Sequence, residues 1–195
     1  MKNYKVLFAD LDGTLIDTIS GETFPKGIWD MKLKFDVLDA IKKLNPELIC
    51  IVTNQGGIEK GFVDRVNWVK KADYIVSCIE EYTTIGTMYE YCSTDNKHCQ
   101  RRKPNVGMLQ HIMNLFSDKY DKFYCLMIGD ASGKEGQFSD SDKKTAENFG
   151  IDYLDVADFV EKLNEITCDN CKDKNNCSQS EYVKNNCYKL SKHNK

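Results

Sequence analysis

The chain is expected to form an α/β domain: a parallel five-stranded sheet in three layers, with helices on both faces. Three observations predict it. Short apolar runs, each bounded by charge or small polar residues, alternate with longer stretches of helical periodicity. The first, second and fourth runs are apolar throughout, as strands covered on both faces are. Each polar cluster that could carry chemistry directly follows a run, which brings the clusters together at the carboxyl edge of a Rossmann-like sheet.

The elements follow in order. Val6-Leu7-Phe8-Ala9 is a buried strand that ends abruptly in Asp10 and Asp12, with Gly13 allowing a tight turn. Ile19 to Gly27 is a loop marked by Gly and Pro. Val37, Leu38, Ile41 and Leu44 share one helix face from near Phe35, and Pro46 stops it. Leu48 to Val52 is a second strand, ending in Thr53-Asn54-Gln55-Gly56-Gly57. A long helix is predicted from about Phe62 to Tyr82, with Phe62, Val66, Val69, Val76 and Ile79 near one stripe. Thr84 to Tyr91 reads as a third strand and Cys92 to Arg102 as a charged loop. Pro104 suits a helix start, and Met108, Leu109, Ile112, Met113 and Phe116 form that helix's apolar side. Phe123 to Ile128 is a fourth strand, ending in Gly129-Asp130. A helix N-capped near Asp140 ends at Gly150. Ile151 to Leu154 is a fifth strand, and Asp155 to Ile166 a last amphipathic helix.

Bulk properties narrow the function classes. The 195 residues allow one such domain, over 1–166, with a Cys-rich tail over 167–195. Hydrophobic and charged shares of 41% and 29% are those of a soluble globular protein, and no apolar run approaches a membrane span. A net charge of −3 argues against wrapping duplex nucleic acid, but not against gripping a few phosphates at one end. Residues Met1 to Lys5 carry no signal-like apolar segment, so an intracellular location in cytoplasm or nucleus, without a membrane partner, is expected. Thiols are then expected reduced, and Cys50 and Cys125, inside strand-like runs, are inert core residues.

Four stations carry the chemistry. Asp10 and Asp12 close a strand, and two such acids can share a divalent cation such as Mg²⁺. One can attack phosphorus while the other moves a proton. A solvated turn or a calcium-type loop is the bland alternative. Thr53 and Asn54 offer a hydroxyl and an amide to phosphate oxygens, or simply cap a strand end. Lys103 could face a bound anion, or belong to the solvated basic run Arg101-Arg102-Lys103. Asp130, with Asp142 downstream, could complete a metal cradle, or cap a helix or turn.

In this order the stations resemble the haloacid dehalogenase-like phosphohydrolase superfamily. Within it the match is to the polynucleotide 3′-phosphatase family. It is carried by Asp12-Gly13-Thr14-Leu15-Ile16, Ser20-Gly21, Phe24-Pro25, Thr53-Asn54-Gln55, Arg102-Lys103-Pro104 with Gly107-Met108, and Gly129-Asp130-Ala131-Ser132-Gly133-Lys134. The block Phe138-Ser139-Asp140-Ser141-Asp142-Lys143, followed by Ala146, Asn148 and Gly150, is the most telling. Lys134 stands where that family usually has Arg. The resemblance implies that the strand bearing Asp130 lies beside the strand bearing Asp10. It implies Asp10 as nucleophile, forming an aspartyl-phosphate, and Asp12 as general acid and base. Thr53 and Lys103 hold phosphoryl oxygens, and Asn54, Gln55, Arg102 and Thr14 bind substrate. Mg²⁺ is held by Asp10, Asp130 and the Asp12 carbonyl, and Asp142 supports its water shell or Lys103. DNA ends, single-stranded, nicked or gapped, are the implied partner.

No Gly-x-x-x-x-Gly-Lys-Ser/Thr occurs, so this chain carries no P-loop kinase. Ordinary elements already fill the intervals between stations, so no independent cap domain is expected. A small-molecule phosphatase of the heptose bisphosphate or histidinol phosphate type is the alternative, and so is a non-catalytic module that binds nucleic-acid ends. The small-molecule enzymes often carry a zinc loop, but Cys92, His98 and Cys99 do not reproduce its spacing. In the tail, Cys168, Cys171, Cys177 and Cys187 could form a Cys₄ Zn²⁺ site or remain loose thiols.

Overall fold

The computed structural model describes residues 2–137 and 139–165; the tail with its zinc expectation lies outside the described residues. Strand β1 (Val6–Ala9) is followed by a two-residue hairpin, β2 (Ile16–Asp17) and β3 (Lys32–Leu33), and then α1 (Phe35–Leu44). Next come β4 (Leu48–Asn54), α2 (Arg65–Thr83), β5 (Thr87–Cys92) and α3 (Gly107–Leu115). The chain continues through β6 (Cys125–Gly129), α4 (Ser141–Phe149), β7 (Asp152–Asp155) and α5 (Val156–Asn164).

The main sheet has five parallel strands in the order β5-β4-β1-β6-β7. The period-2 alternation of a strand sorts its residues between two cores. Leu7, Ala9, Ile49, Ile51, Leu126 and Ile128 face α1, α2 and α5, where Leu38, Ile75 and Phe159 meet them. Val6, Phe8, Cys50, Val52, Cys125 and Met127 face α3 and α4, where Met108, Ile112 and Phe149 meet them. Phe8 packs edge-on against Phe149 with ring centroids 6.4 Å apart. Burying each such large apolar side chain stabilises the fold by about 1.5–3 kcal/mol. Cys50 and Cys125 are free and buried, and desolvation pushes the Cys125 thiol up to about 12.

Several boundaries differ from expectation, for local reasons. Helix α2 starts after Asp64, whose carboxylate accepts from Asn67 N at 2.9 Å; Phe62 lies outside the helix and is exposed. Thr84 is the left-handed cap of α2 (φ 62°), so β5 begins only at Thr87. Helix α3 starts at Gly107 rather than Pro104, because the 93–106 loop closes on itself: Asn105 Nδ2 donates to the Lys97 and Cys99 carbonyls. A 3₁₀ turn, Lys122–Tyr124, precedes β6. Asp140 is the residue before α4, but its carboxylate pairs with Lys144 at 2.6 Å instead of capping the helix. The β2–β3 hairpin gives the sequence almost no periodic signal, because each strand is two residues long.

Strands β1 and β6 are neighbours, with Val6 opposite Cys125 and Ala9 opposite Ile128. This register puts Asp10 and Asp130 at the same edge. No described helix is long and apolar enough to cross a membrane.

Candidate active site

Asp10 leaves β1 with its backbone N–H donating to Ile128 O at 3.1 Å, which ties the first station to β6. Its carboxylate is buried, and Oδ1 accepts from Lys103 Nζ at 2.5 Å. The same ammonium donates to Asp142 Oδ1 at 2.6 Å, and Ala131 N donates to Asp142 Oδ2 at 3.2 Å. Oxygens of Asp10, Asp130 and Asp142 all lie within 4.8 Å of one another. Among the described residues this is the only group of three or more His, Cys, Asp or Glu that could hold a metal; Cys92, His98 and Cys99 form none.

The basic run Arg101-Arg102-Lys103 divides by position. Arg101 is exposed and pairs with Glu90. Arg102 binds Asp95 at 2.7 Å and the Thr94 carbonyl at 3.0 Å. Lys103 alone is buried, at 4% exposure. Asn54 fixes it from β4: its Oδ1 accepts from Lys103 N at 2.9 Å and its Nδ2 donates to Lys103 O at 3.0 Å. Two residues expected on substrate also hold the scaffold. Asn54 positions the lysine, and Arg102 braces the 93–106 loop. Thr14 is a third. It is wholly buried; its hydroxyl accepts from Asp130 N at 3.1 Å and donates to Asp130 Oδ1 at 3.4 Å. Lys134 is also turned away, toward Asp158 at 2.6 Å and Asp155 at 3.4 Å.

Asp12 is exposed, and Gln55 Nε2 donates to its Oδ2 at 2.7 Å and to Thr53 Oγ1 at 2.9 Å. One amide thus aligns the second acid with the hydroxyl at the end of β4.

Two carboxylates hold one ammonium with Asp130 beside them, and the protonation behaviour follows. Burial alone would pull Lys103 down, but Asp10 and Asp142 outweigh it and hold the ammonium charged. Burial pushes the Asp10 carboxyl well above the usual range; Asp142 and Asp12 add to this and Lys103 opposes it. Burial, reinforced by Asp142, also raises Asp130. The cluster is short of positive charge, and its donors are all oxygens. That set fits a hard divalent cation of the Mg²⁺ type.

The family model described as polynucleotide kinase 3 phosphatase matches residues 5–159. The chain belongs to that family. It is a haloacid dehalogenase-like phosphatase, a phosphoric monoester hydrolase. It is 30% identical over 156 residues to a bifunctional polynucleotide phosphatase/kinase of Schizosaccharomyces pombe, covering 78% of this chain and 36% of that one. It is 32% identical over 158 residues to the histidine biosynthesis bifunctional protein HisB of Buchnera aphidicola, covering 75% and 39%. The chain thus spans less than two fifths of either relative's length. A crystal structure of D,D-heptose 1,7-bisphosphate phosphatase from B. bronchiseptica, complexed with magnesium and phosphate, shares the fold at TM-score 0.57 and 20% identity, covering 83% and 98%.

Two glycines let this phosphatase site close. A Cβ on Gly13 would lie 2.2 Å from Asp130 Oδ2, and the residue's φ of +83° already disfavours any other side chain. A Cβ on Gly129 would lie 2.2 Å from Asp142 Oδ2. Gly13→Ala is expected to force Asp130 away or open the turn, at a cost of about 1–3 kcal/mol. Thermal unfolding and phosphate release check this; a variant matching wild type in both would contradict it.

Lys34 was not visible as a site residue. It precedes α1, and its Nζ reaches back to donate to Gly13 O at 2.8 Å. The only signal is a cation at the base of the hairpin, and the sequence leaves that hairpin unmarked.

Proposed function

We propose that this protein removes the 3′-phosphate from polynucleotide ends, DNA ends at single strands, nicks or gaps, as an end-repair step. The reaction is magnesium-dependent and passes through an aspartyl-phosphate on Asp10. The observation that carries it is the gathering of Asp10, Asp130 and Asp142 at one sheet edge, with Lys103 bridging Asp10 and Asp142.

The roles follow from the contacts. Lys103 holds Asp10 Oδ1, and Oδ2 has no protein partner among the described residues. Oδ2 attacks phosphorus as the bond to the 3′-oxygen breaks. Asp12, oriented by Gln55, gives its proton to that oxygen. It then takes a proton from the water that attacks phosphorus and frees Asp10, releasing inorganic phosphate. Thr53, at the end of β4 with its hydroxyl oriented by Gln55, would offer that hydroxyl to a phosphoryl oxygen. Asp10 and Asp130, with Asp142 beside them, would hold Mg²⁺, which would supply charge that offsets the phosphoryl oxygens.

Substrate class follows from the site's openness. Residues 18–31 and 93–106 are loops that contain no separate domain. Among the described residues no large cap covers Asp10. An open edge admits the end of a polymer. The identity to HisB supports a small-molecule reading as the second possibility. A panel separates them: 3′-phosphorylated DNA, 3′-phosphorylated RNA, 5′-phosphorylated DNA, histidinol phosphate and heptose bisphosphate, each with Mg²⁺. Highest kcat/KM on a 3′-phosphorylated polynucleotide supports the proposal. Highest kcat/KM on either small phosphate transfers the assignment.

Metal binding should also show in stability. Added Mg²⁺ is expected to raise Tm by roughly 5 °C at pH 7.5 when well above its Kd. The gain should shrink at pH 5.5. Burial shifts both Asp10 and Asp130 upward, so as pH falls the cation must increasingly displace protons from them. A larger gain at pH 5.5 than at pH 7.5 would refute this reading of the carboxylates.

A further inference from the structure

A second feature lies beside the catalytic edge. A cleft of about 240 Å³ opens at the end of β5, lined by Arg65, Arg101, Tyr91, Ser93 and Thr94 among others. Strand register places Tyr91 opposite Thr53 and Cys92 opposite Asn54. The cleft is therefore two strands from Asp10, roughly 10 Å at ordinary strand spacing. That is too far to hold the reacting phosphate, but within reach of its neighbour along an extended strand.

The cleft's cations are placed, not loose. Arg65 is the first residue of α2, and its Nε donates to Tyr91 Oη at 3.0 Å. The Tyr91 ring beneath it packs on Trp68 with centroids 4.2 Å apart, so the platform is rigid. No carboxylate pairs with Arg65 among the described residues, and its terminal nitrogens have no protein partner there. Arg101 sits across the cleft, donating to Glu90 and to the Tyr91 carbonyl at 3.2 Å. Glu90 pairs with Arg101 and Glu59 accepts from Thr94 on the rim, so Arg65 is the cleft's guanidinium without a carboxylate among the described residues, beside a site built for phosphate.

We infer that this cleft binds the phosphodiester joining the last two nucleotides of the substrate, with Arg65 as its main cation. The inference rests on the polynucleotide 3′-phosphatase reading. Guanidinium matches phosphate geometry, and the contact is made only when the substrate has an inner phosphodiester. A mononucleotide or sugar phosphate cannot use it. The cleft thus favours polymer ends over small phosphates without touching the reacting bond.

The test is a length series at fixed salt with Mg²⁺: thymidine 3′-monophosphate, then di- and trinucleotides carrying a 3′-phosphate. Wild type should show KM about fivefold lower for the dinucleotide than for the mononucleotide, with little further gain at three. The advantage should shrink as salt rises. Arg65→Gln should lose most of it, and Arg65→Lys should keep part. Lys70→Gln, an exposed change on the same helix, should keep all of it. Equal KM for mono- and dinucleotide in wild type, or an unchanged ratio in Arg65→Gln, overturns the inference and leaves the 3′-phosphatase reading standing. Failure of wild type to hydrolyse any of the three overturns both.

Discussion

Asp10→Asn should abolish phosphate release, lowering turnover at least about 10³-fold, the scale of losing a nucleophile that acts with its partners as a unit. The amide cannot form the acyl phosphate, while the other contacts of the site remain. The chain should still fold. Asn is nearly isosteric, and Asp142 still accepts from Lys103 at 2.6 Å. Burial already pushes Asp10 toward its neutral form, so a neutral side chain suits the apo site. The measurement is phosphate release from a 3′-phosphorylated oligonucleotide, with circular dichroism to verify folding. Brief incubation with labelled substrate and acid quenching should leave label on wild type and none on the variant. A folded variant with more than a tenth of wild-type turnover would remove Asp10 from the nucleophile's role.

The sheet was legible because its signal is repeated. Five short runs alternate with helices, the central three of them apolar and buried on both faces, and every one of the five appears as a strand. The order of the strands came from the family resemblance, since spacing alone does not say that β1 lies beside β6. The acids were legible for a related reason: Asp10 and Asp130 follow apolar runs directly, and an acid there is expensive unless it is used or paired.

Three-dimensional partners were harder to read. Nothing in Arg101-Arg102-Lys103 says which cation turns inward. Asn54 decides that by gripping the Lys103 backbone from a strand far away in sequence. Asn54, Arg102 and Thr14 carry the polar groups that a phosphate contact requires, and they also hydrogen-bond Lys103, Asp95 and Asp130. Polarity at a strand end marks a site. It does not separate the residues that touch substrate from those that hold the ones that do.

Lys103→Met is expected to give the largest stability change. It removes the ammonium that bridges Asp10 and Asp142 and leaves the carboxylates facing one another in a buried space. Removing one partner of a buried charge group costs about 3–5 kcal/mol, or roughly 10 °C in Tm for a chain of this size. The pH dependence has a definite sign. The Lys103 value is raised, so its contribution is fully present below the unfolded lysine value and is lost only as pH climbs through the folded one, in strongly alkaline solution. Across pH 5 to 8 the wild-type lysine is therefore a constant cation. In the variant the carboxyls must retain protons to fold, so the folded state binds more protons than the unfolded one and gains stability as pH falls. The Tm deficit should be larger at pH 8 than at pH 5.5, and added Mg²⁺ should recover part of it by offsetting the same charges. Phosphate release should fall steeply at every pH, because Asp10 loses the group that fixes Oδ1. Equal Tm for variant and wild type at pH 8 would mean that Asp10 and Asp142 do not share one buried cation.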